Sequence, residues 1–263
     1  MHDIAFIFAG FFVGIVVGLT GVGGGSLMTP VLIFVFGVKP HMAVGTDLLF
    51  AAFTKLGGTV KTARSGLVDW RVVLTLSSGS IPASLITLWV LKTLGPADPA
   101  VQHLMTTTLG VALLLTAAAT LYKALRGKTS PQHISTGQEK NATTARHWSL
   151  PLLFGALIGT LVSLTSVGAG AIGVTVLMLL YPLLPLPRIV AADIAYAVPL
   201  TLVAGVGHAT LGSVDGSMLG LLLTGSLPGI WLGAHFMTRV PERAIRGLLS
   251  LLLAYAGTKL IAF

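Results

Sequence analysis

GLTGVGGGSLMTP, Gly18 to Pro30, places five glycines among thirteen residues, with no charge, inside an otherwise apolar N-terminal run. Glycine is a poor helix former and a good turn former, so this stretch interrupts a helix. The surrounding chain sets the solvent in which that break must survive. At 54% hydrophobic and 9% charged over 263 residues, it is too apolar for an ordinary soluble domain. Long apolar runs recur between short clusters of Gly, Pro or charge, as in a polytopic helical membrane protein. A β-barrel would instead alternate in short segments. Ile4 to Leu19 is apolar, but His2 and Asp3 form no basic n-region and no cleavage site follows, so the run reads as a retained first helix. With no cysteine, thiolate catalysis, disulfides and Cys-ligated metals are excluded. No cofactor is expected. The net charge of +8 reflects membrane topology here, and no nucleic-acid partner is expected.

The opening stretch has a second copy. SLTSVGAGAIGVTVL, Ser163 to Leu177, matches GLTGVGGGSLMTPVL at 7 of 15 positions, and Val44 to Ala83 matches Val190 to Gly229 without a gap at 13 of 40. The second match pairs Asp47 with Asp193, Gly66-x-Val68-Asp69 with Gly212-x-Val214-Asp215, and Gly79-Ser80-x-Pro82 with Gly225-Ser226-x-Pro228. The chain is read as a duplication, with a first transmembrane repeat over 1–125, a polar cytoplasmic linker over 126–148 and a second repeat over 149–263.

Each half divides into five apolar segments, at about 4–21, 26–37, 42–60, 72–91 and 103–122, then 150–166, 171–184, 189–206, 217–236 and 245–262. The second of each five is short against the ~20 residues of a full crossing, so 26–37 and 171–184 either span or re-enter. With the N-terminus outside and segments alternating, twelve Lys and Arg fall inside and only Lys39, Lys92 and Lys259 outside. An odd number of segments per half makes the repeats opposite in orientation. The expected fold is therefore all-α, a multi-pass membrane protein of two inverted five-segment repeats with about eight to ten transmembrane segments, an architecture of secondary transporters.

Unpaired backbone groups cost several kcal/mol each in lipid, so a glycine break is tolerated only against protein or a wet cavity. In a hairpin, Gly21, Gly23, Gly24 and Gly25 supply the turn, and the segment from Ser26 starts with free N–H groups at the positive end of its dipole, an anion site. Ser166, Gly168 and Gly170 repeat this before Ala171, and inversion brings the tips together from opposite leaflets. The plainer alternative is that glycine lets helices pack closely. Neither copy ends in Gly-Lys-Ser/Thr, which excludes a phosphate loop.

Other polar residues carry paired readings. Asp47 and Asp193 mark a relay or pathway, or cap their helices near the interface. Lys55, about two turns after Asp47, offsets an anionic substrate or pairs with the acid, or else snorkels toward Lys61. His208 titrates during transport or simply packs; its first-half counterpart is Thr62. Thr20, Thr46, Thr165, Ser26, Ser163 and Ser166 offer hydroxyls to an oxyanion, or bond their own backbone. Asp69, Trp70 and Arg71 read as an interfacial anchor.

GLTGVGGGSLMTP, AVGTDLLF, SGLVDWR, VAGVGHATLGSVD and GSLPGIWLG, in that order, resemble the sulfite exporter TauE/SafE family over nearly the whole chain apart from the linker. The resemblance implies an inner-membrane permease for small sulfur-containing anions such as sulfite, sulfoacetate or related organosulfonates, commonly in export. It carries over Gly23 to Ser26, Gly168 to Gly170, Thr46 with Asp47, and His208 with Gly212 and Asp215. The chain departs from the family pattern at Thr62 in place of His, Ala191-Ala192 in place of Gly-Thr, and Lys55 in place of a small polar residue.

The expected activity is transport of such an anion across the cytoplasmic membrane by alternating access. Thr20, Gly23, Gly24, Gly25, Ser26, Thr46, Thr165, Ser166, Gly168 and Gly170 are the expected binding residues. Asp47, Lys55, Asp193 and His208 are expected to couple protons or compensate charge. A passive anion channel stays open as an alternative, as does, less favoured, an intramembrane enzyme with Asp47 and Asp193 as an acid dyad, although Gly-x-Gly-Asp, His-Glu-x-x-His and Gly-x-Ser-x-Gly are absent. The expected partners are the anion, protons and lipid, with a homo-oligomer left open.

Overall fold

The computed structural model describes residues 2–20, 25–126, 149–168, 170–236 and 242–261. The linker lies outside them. The described residues form α1 (His2–Thr20), α2 (Gly25–Phe34), α3 (Pro40–Arg64), α4 (Trp70–Leu94), α5 (Pro99–Arg126), α6 (Ser149–Thr165), α7 (Ala171–Leu180), α8 (Leu186–Thr210), α9 (Gly216–Phe236) and α10 (Glu242–Ile261). These elements match the ten apolar segments of the sequence. Among the described residues, four helices, within α4, α5, α8 and α9, are long and apolar enough to cross a membrane. Phe8, Phe12, Leu85, Trp89, Leu115, Leu157, Trp231, Leu251 and Tyr255 point outward, as the lipid face of such a bundle requires. By contrast α2 and α7 hold only 10 residues each, ~15 Å of helix against a hydrocarbon core of ~30 Å.

The repeated Gly-x-Val-Asp motif is a helix stop followed by a helix start. Gly66 and Gly212 follow α3 and α8 with φ of 66° and 69°, the left-handed conformation that glycine adopts without strain. Asp69 then accepts from Arg71 N at 3.1 Å and Val72 N at 3.4 Å to cap α4. Asp215 accepts from Ser217 N, Ser217 Oγ and Met218 N at 2.9, 2.6 and 3.0 Å to open α9. The Ser217 hydroxyl, then the Met218 amide, hold the Asp215 carboxyl below its usual range.

The other repeated motif, Gly-Ser-x-Pro, forms interhelical seams. A Cβ on Gly79 would lie 2.3 Å from Leu152 O, and one on Gly159 2.3 Å from Ser80 O, so α4 and α6 touch backbone to backbone. The counterpart seam joins α9 to α1, where the same test puts Gly225 1.9 Å from Ile7 O and Gly14 2.5 Å from Ser226 O. Both pairs run parallel, because contact positions advance together along each. Across the molecule α3 packs antiparallel on its counterpart α8, with Gly205 against Leu49 and Gly58 facing Ile194. Likewise α5 packs antiparallel on α10, with Gly110 against Ile261 and Gly257 against Leu114. These seams place α3 and α8 at the centre, with the short helices α2 and α7 laid against them.

Candidate functional site

Asp47 and Asp193 each stand eight residues into a 25-residue helix, and both are buried, at 0% and 2% exposure. Neither lies in the first turn of its own helix. Instead, each carboxylate lies against the short helix beside it, Asp47 midway along α2 and Asp193 at the first turn of α7. Thr29 of α2 donates its hydroxyl to Asp47 Oδ2 and also presents its backbone N–H. Asp193 Oδ1 lies against Gly173 in the first turn of α7, so close that a Cβ there would fall 2.0 Å from the oxygen. Each acid thus meets the short helix of its own half, Asp47 through the Thr29 hydroxyl and Asp193 through close approach to Gly173.

Lys55 completes the centre. It is 7% exposed and within electrostatic reach of both Asp193 and Asp47. It does not reach for the inner surface. Burying a lysine in a membrane bundle is expensive unless acids compensate it, and here one acid comes from each half.

The tip between α6 and α7 enters the same centre. Ser166 has φ of 59°, a left-handed conformation uncommon for a residue with a side chain, while Gly168 and Gly170 follow at 138° and 143°, where glycine is required. Ser166 is buried at 5% exposure, and its hydroxyl faces the Asp47 carboxylate. Gly170 caps α7 with no side-chain bond; Gly173 N donates to Gly168 O at 2.8 Å and Val174 N to Gly170 O at 2.9 Å. The first hairpin meets this tip through Leu27, which packs in one apolar cluster with Val167.

The remaining expected residues divide. Ser26 is buried beside the opening of α2, which begins at Gly25. Gly23 and Gly24 lie outside the described residues, as does the side chain of Thr20. Thr165 donates to Leu161 O at 2.6 Å and accepts from Val167 N at 3.1 Å, holding the tip rather than presenting its hydroxyl. Thr46 accepts from Asp215 N at 3.1 Å and so fastens the start of α9 to α3. His208, fully buried, donates from Nε2 to Ser163 O at 2.8 Å and ties α8 to α6. Ser163 itself joins Ser84 at 2.7 Å across the α4–α6 seam and donates to Gly159 O at 2.8 Å. A groove of about 290 Å³ between α5 and α6, lined by Thr108, Leu157, Thr160 and other mostly apolar side chains, faces outward and is separate from the charged centre.

The family model for sulfite exporter TauE/SafE matches residues 6–260. The chain belongs to the sulfite exporter TauE/SafE family. It is a membrane transporter. It is 34% identical to the probable membrane transporter protein YjnA of Bacillus subtilis (strain 168), over 98% of this chain and 100% of that one. It is 26% identical to the probable membrane transporter protein YdhB of the same organism, over 95% and 97%. With the probable membrane transporter protein MJ0441 of Methanocaldococcus jannaschii it shares 25% over 95% and 92%. No solved structure matches it.

Within this TauE/SafE chain, three contacts of the centre carry little signal in sequence. Thr29 lies inside the opening glycine stretch but reads there as one more small residue. Gly173 stands where the first repeat has Met28, a mismatch that marks the place where Asp193 approaches α7. Tyr196, fully buried and close enough to Asp193 to feel its charge, matches Phe50 of the first repeat.

Proposed function

We propose that this TauE/SafE transporter is a secondary carrier for a small sulfur-containing oxyanion, such as sulfite, sulfoacetate or a related organosulfonate, in the cytoplasmic membrane. One observation carries the reading: Asp47 of the first half is gripped by Thr29 of its own short helix and faced by Ser166 from the tip of the other half, with the buried Lys55 within electrostatic reach of both Asp47 and Asp193. A buried cation, the Ser166 hydroxyl and the N-terminus of α7 converge there. That combination suits an anion whose oxygens accept hydrogen bonds.

The antiparallel pairing of α3 with α8 and α5 with α10, together with the exchange of α1–α9 for α6–α4, supports two inverted repeats. Each short helix with its partner then forms a hairpin entering from its own leaflet, and alternating access is the rocking of one repeat against the other. Export is the favoured direction, because an inside-negative potential contributes about 2.3 kcal/mol per negative charge at 100 mV. A shared-proton acid dyad is disfavoured, because Asp47 and Asp193 reach different short helices and Lys55 acts on both.

The test is uptake of labelled sulfite, sulfoacetate and sulfate by proteoliposomes. A carrier gives saturable flux that is accelerated by unlabelled anion on the far side and is lost in Gly170→Leu. Linear flux without that acceleration points to the channel, and no flux of any of the three removes the proposed substrate class.

A further inference from the structure

The two helix stops that the repeat pairs are docked differently. At the end of α8, Ser213 N donates to His208 O at 2.9 Å around Gly212, and the turn presses on α3 of the other half. Ser213 O lies 2.0 Å from where a Cβ on Gly45 would stand, His208 Cβ lies 3.1 Å from the same point, and Asp215 N donates to Thr46 Oγ1 at 3.1 Å. Ser213, His208 and Thr46 are fully buried there. At the end of α3 the same turn is built, with Leu67 N donating to Thr62 O at 3.2 Å around Gly66. The matching surface on α8, however, reads Ala191-Ala192 where α3 reads Gly45-Thr46. Ala192 offers no hydroxyl to the Asp69 amide, and the methyl of Ala191 bars the backbone approach that Gly45 permits. The contact of the α3–α4 turn is apolar instead: Val68 packs in the cluster that holds Ile189 and Ala192.

Charge bias assigns these two ends to opposite sides of the membrane: Lys39 precedes α3 outside, whereas Arg64, Arg71 and Arg188 stand inside, at the end of α3 and the starts of α4 and α8. Each docking joins a helix of one half to a turn of the other. Rocking of the repeats must therefore part the outer one to open outward and the inner one to open inward. We infer that Gly45 and Thr46, with the α8–α9 turn, form an outer latch that has no polar counterpart inside, holding the empty carrier closed to the outside and leaving the inner end the easier to open. The inference rests on the alternating-access reading above and deepens it. An exporter gains from this bias, because the site of the empty carrier then faces the compartment that supplies the anion. The apparent affinity seen from either side scales with the fraction of carriers open to it. One interhelical hydrogen bond in a membrane shifts a two-state population by about threefold, so the latch sets the resting balance without preventing turnover.

The experiment reads the two sides separately. Ser166→Cys serves as reporter in the cysteine-free chain, reconstituted in one orientation, and a membrane-impermeant thiol reagent is applied from outside or from inside with no anion present. The ratio of outside to inside labelling rates is expected to rise about threefold when Thr46→Ala is added, and to return to the parent value in Thr46→Ser, which keeps the hydroxyl. Ala191→Gly combined with Ala192→Thr builds the missing latch at the inner end. It is expected to raise the same ratio by making inward opening harder, and it stands in if Thr46→Ala does not assemble. General loosening of the fold would instead speed labelling from both sides and leave the ratio where it was. A ratio unchanged by these substitutions, or one that Thr46→Ser fails to restore, overturns the inference. Labelling of the parent reporter from one side alone would instead overturn the alternating-access reading on which it rests.

Discussion

Alanine at Gly159 tests the seam that supports the second tip. Its Cβ would sit 2.3 Å from Ser80 O and 2.8 Å from Ser80 Cα, both of them backbone atoms of α4. Ordinary contact begins at 3.4 Å, so α4 and α6 must separate by about 1.1 Å, the difference between 3.4 and 2.3. One turn on, the Ser84–Ser163 hydrogen bond of 2.7 Å would be stretched beyond bonding by that movement. Overpacking costs about 1–3 kcal/mol and an interhelical hydrogen bond in a membrane about 0.6 kcal/mol, against a gain of about 1 kcal/mol in helix propensity. The net expectation is a loss of about 0.6–2.6 kcal/mol. Gly220 is the control: it lies in α9 with nothing within 4 Å of a Cβ, so Gly220→Ala should be neutral or stabilising by up to about 1 kcal/mol. Unfolding both variants in mixed micelles by denaturing detergent measures the difference. Equal stability of the two would refute the backbone-contact reasoning.

Three further outcomes follow from the same geometry. Thr29→Val removes the hydroxyl donor of a buried carboxylate and should destabilise the protein by about 1.5–3 kcal/mol in the same unfolding assay, with Thr29→Ser recovering most of it. Asp215→Ala removes the bonds that open α9 and should cost about 1 kcal/mol at neutral pH. Because the Asp215 carboxyl is held below its unfolded value, its contribution is complete above the ordinary carboxylate range and lost as pH falls through the depressed value; the gap between wild type and Asp215→Ala should close in acid. His208→Phe breaks the bond to Ser163 O and should lower stability by about 1–3 kcal/mol, read as a shift of the unfolding midpoint.

The architecture was legible because its punctuation is chemical. Gly66 with Asp69, and Gly212 with Asp215, announce a left-handed stop and an acid cap at matching places. The short helices α2 and α7 end before the apolar sequence does, ahead of Gly37 with φ of 64° and of Pro182. The seams were not legible as such. In a bilayer both faces of a helix are apolar, so Gly79 and Gly159 carry no periodic contrast to mark the side that touches a partner, and the repeat of Gly-Ser-x-Pro fixed their equivalence without their contact. The site divides in the same way. Asp47, Asp193 and Lys55 stand out because charge is rare in membrane helices, yet sequence left each between a functional and a local role. The deciding contacts, Thr29 to Asp47 and Gly173 to Asp193, join different helices, and one of them depends on the absence of a side chain. Thr46, Thr165 and His208 showed the right chemistry in sequence but meet backbone groups in the fold, where a hydroxyl or imidazole near a turn commonly goes.

The most direct test of alternating access at the hairpin tips uses a single reporter in a chain with no native cysteine. Ser166→Cys, reconstituted in one orientation, would be treated from each side in turn with a membrane-impermeant thiol reagent, with and without sulfoacetate. The account predicts slow labelling from both sides and protection by the anion on either side. Labelling from one side alone, or at the rate of a surface thiol and indifferent to the anion, would contradict it.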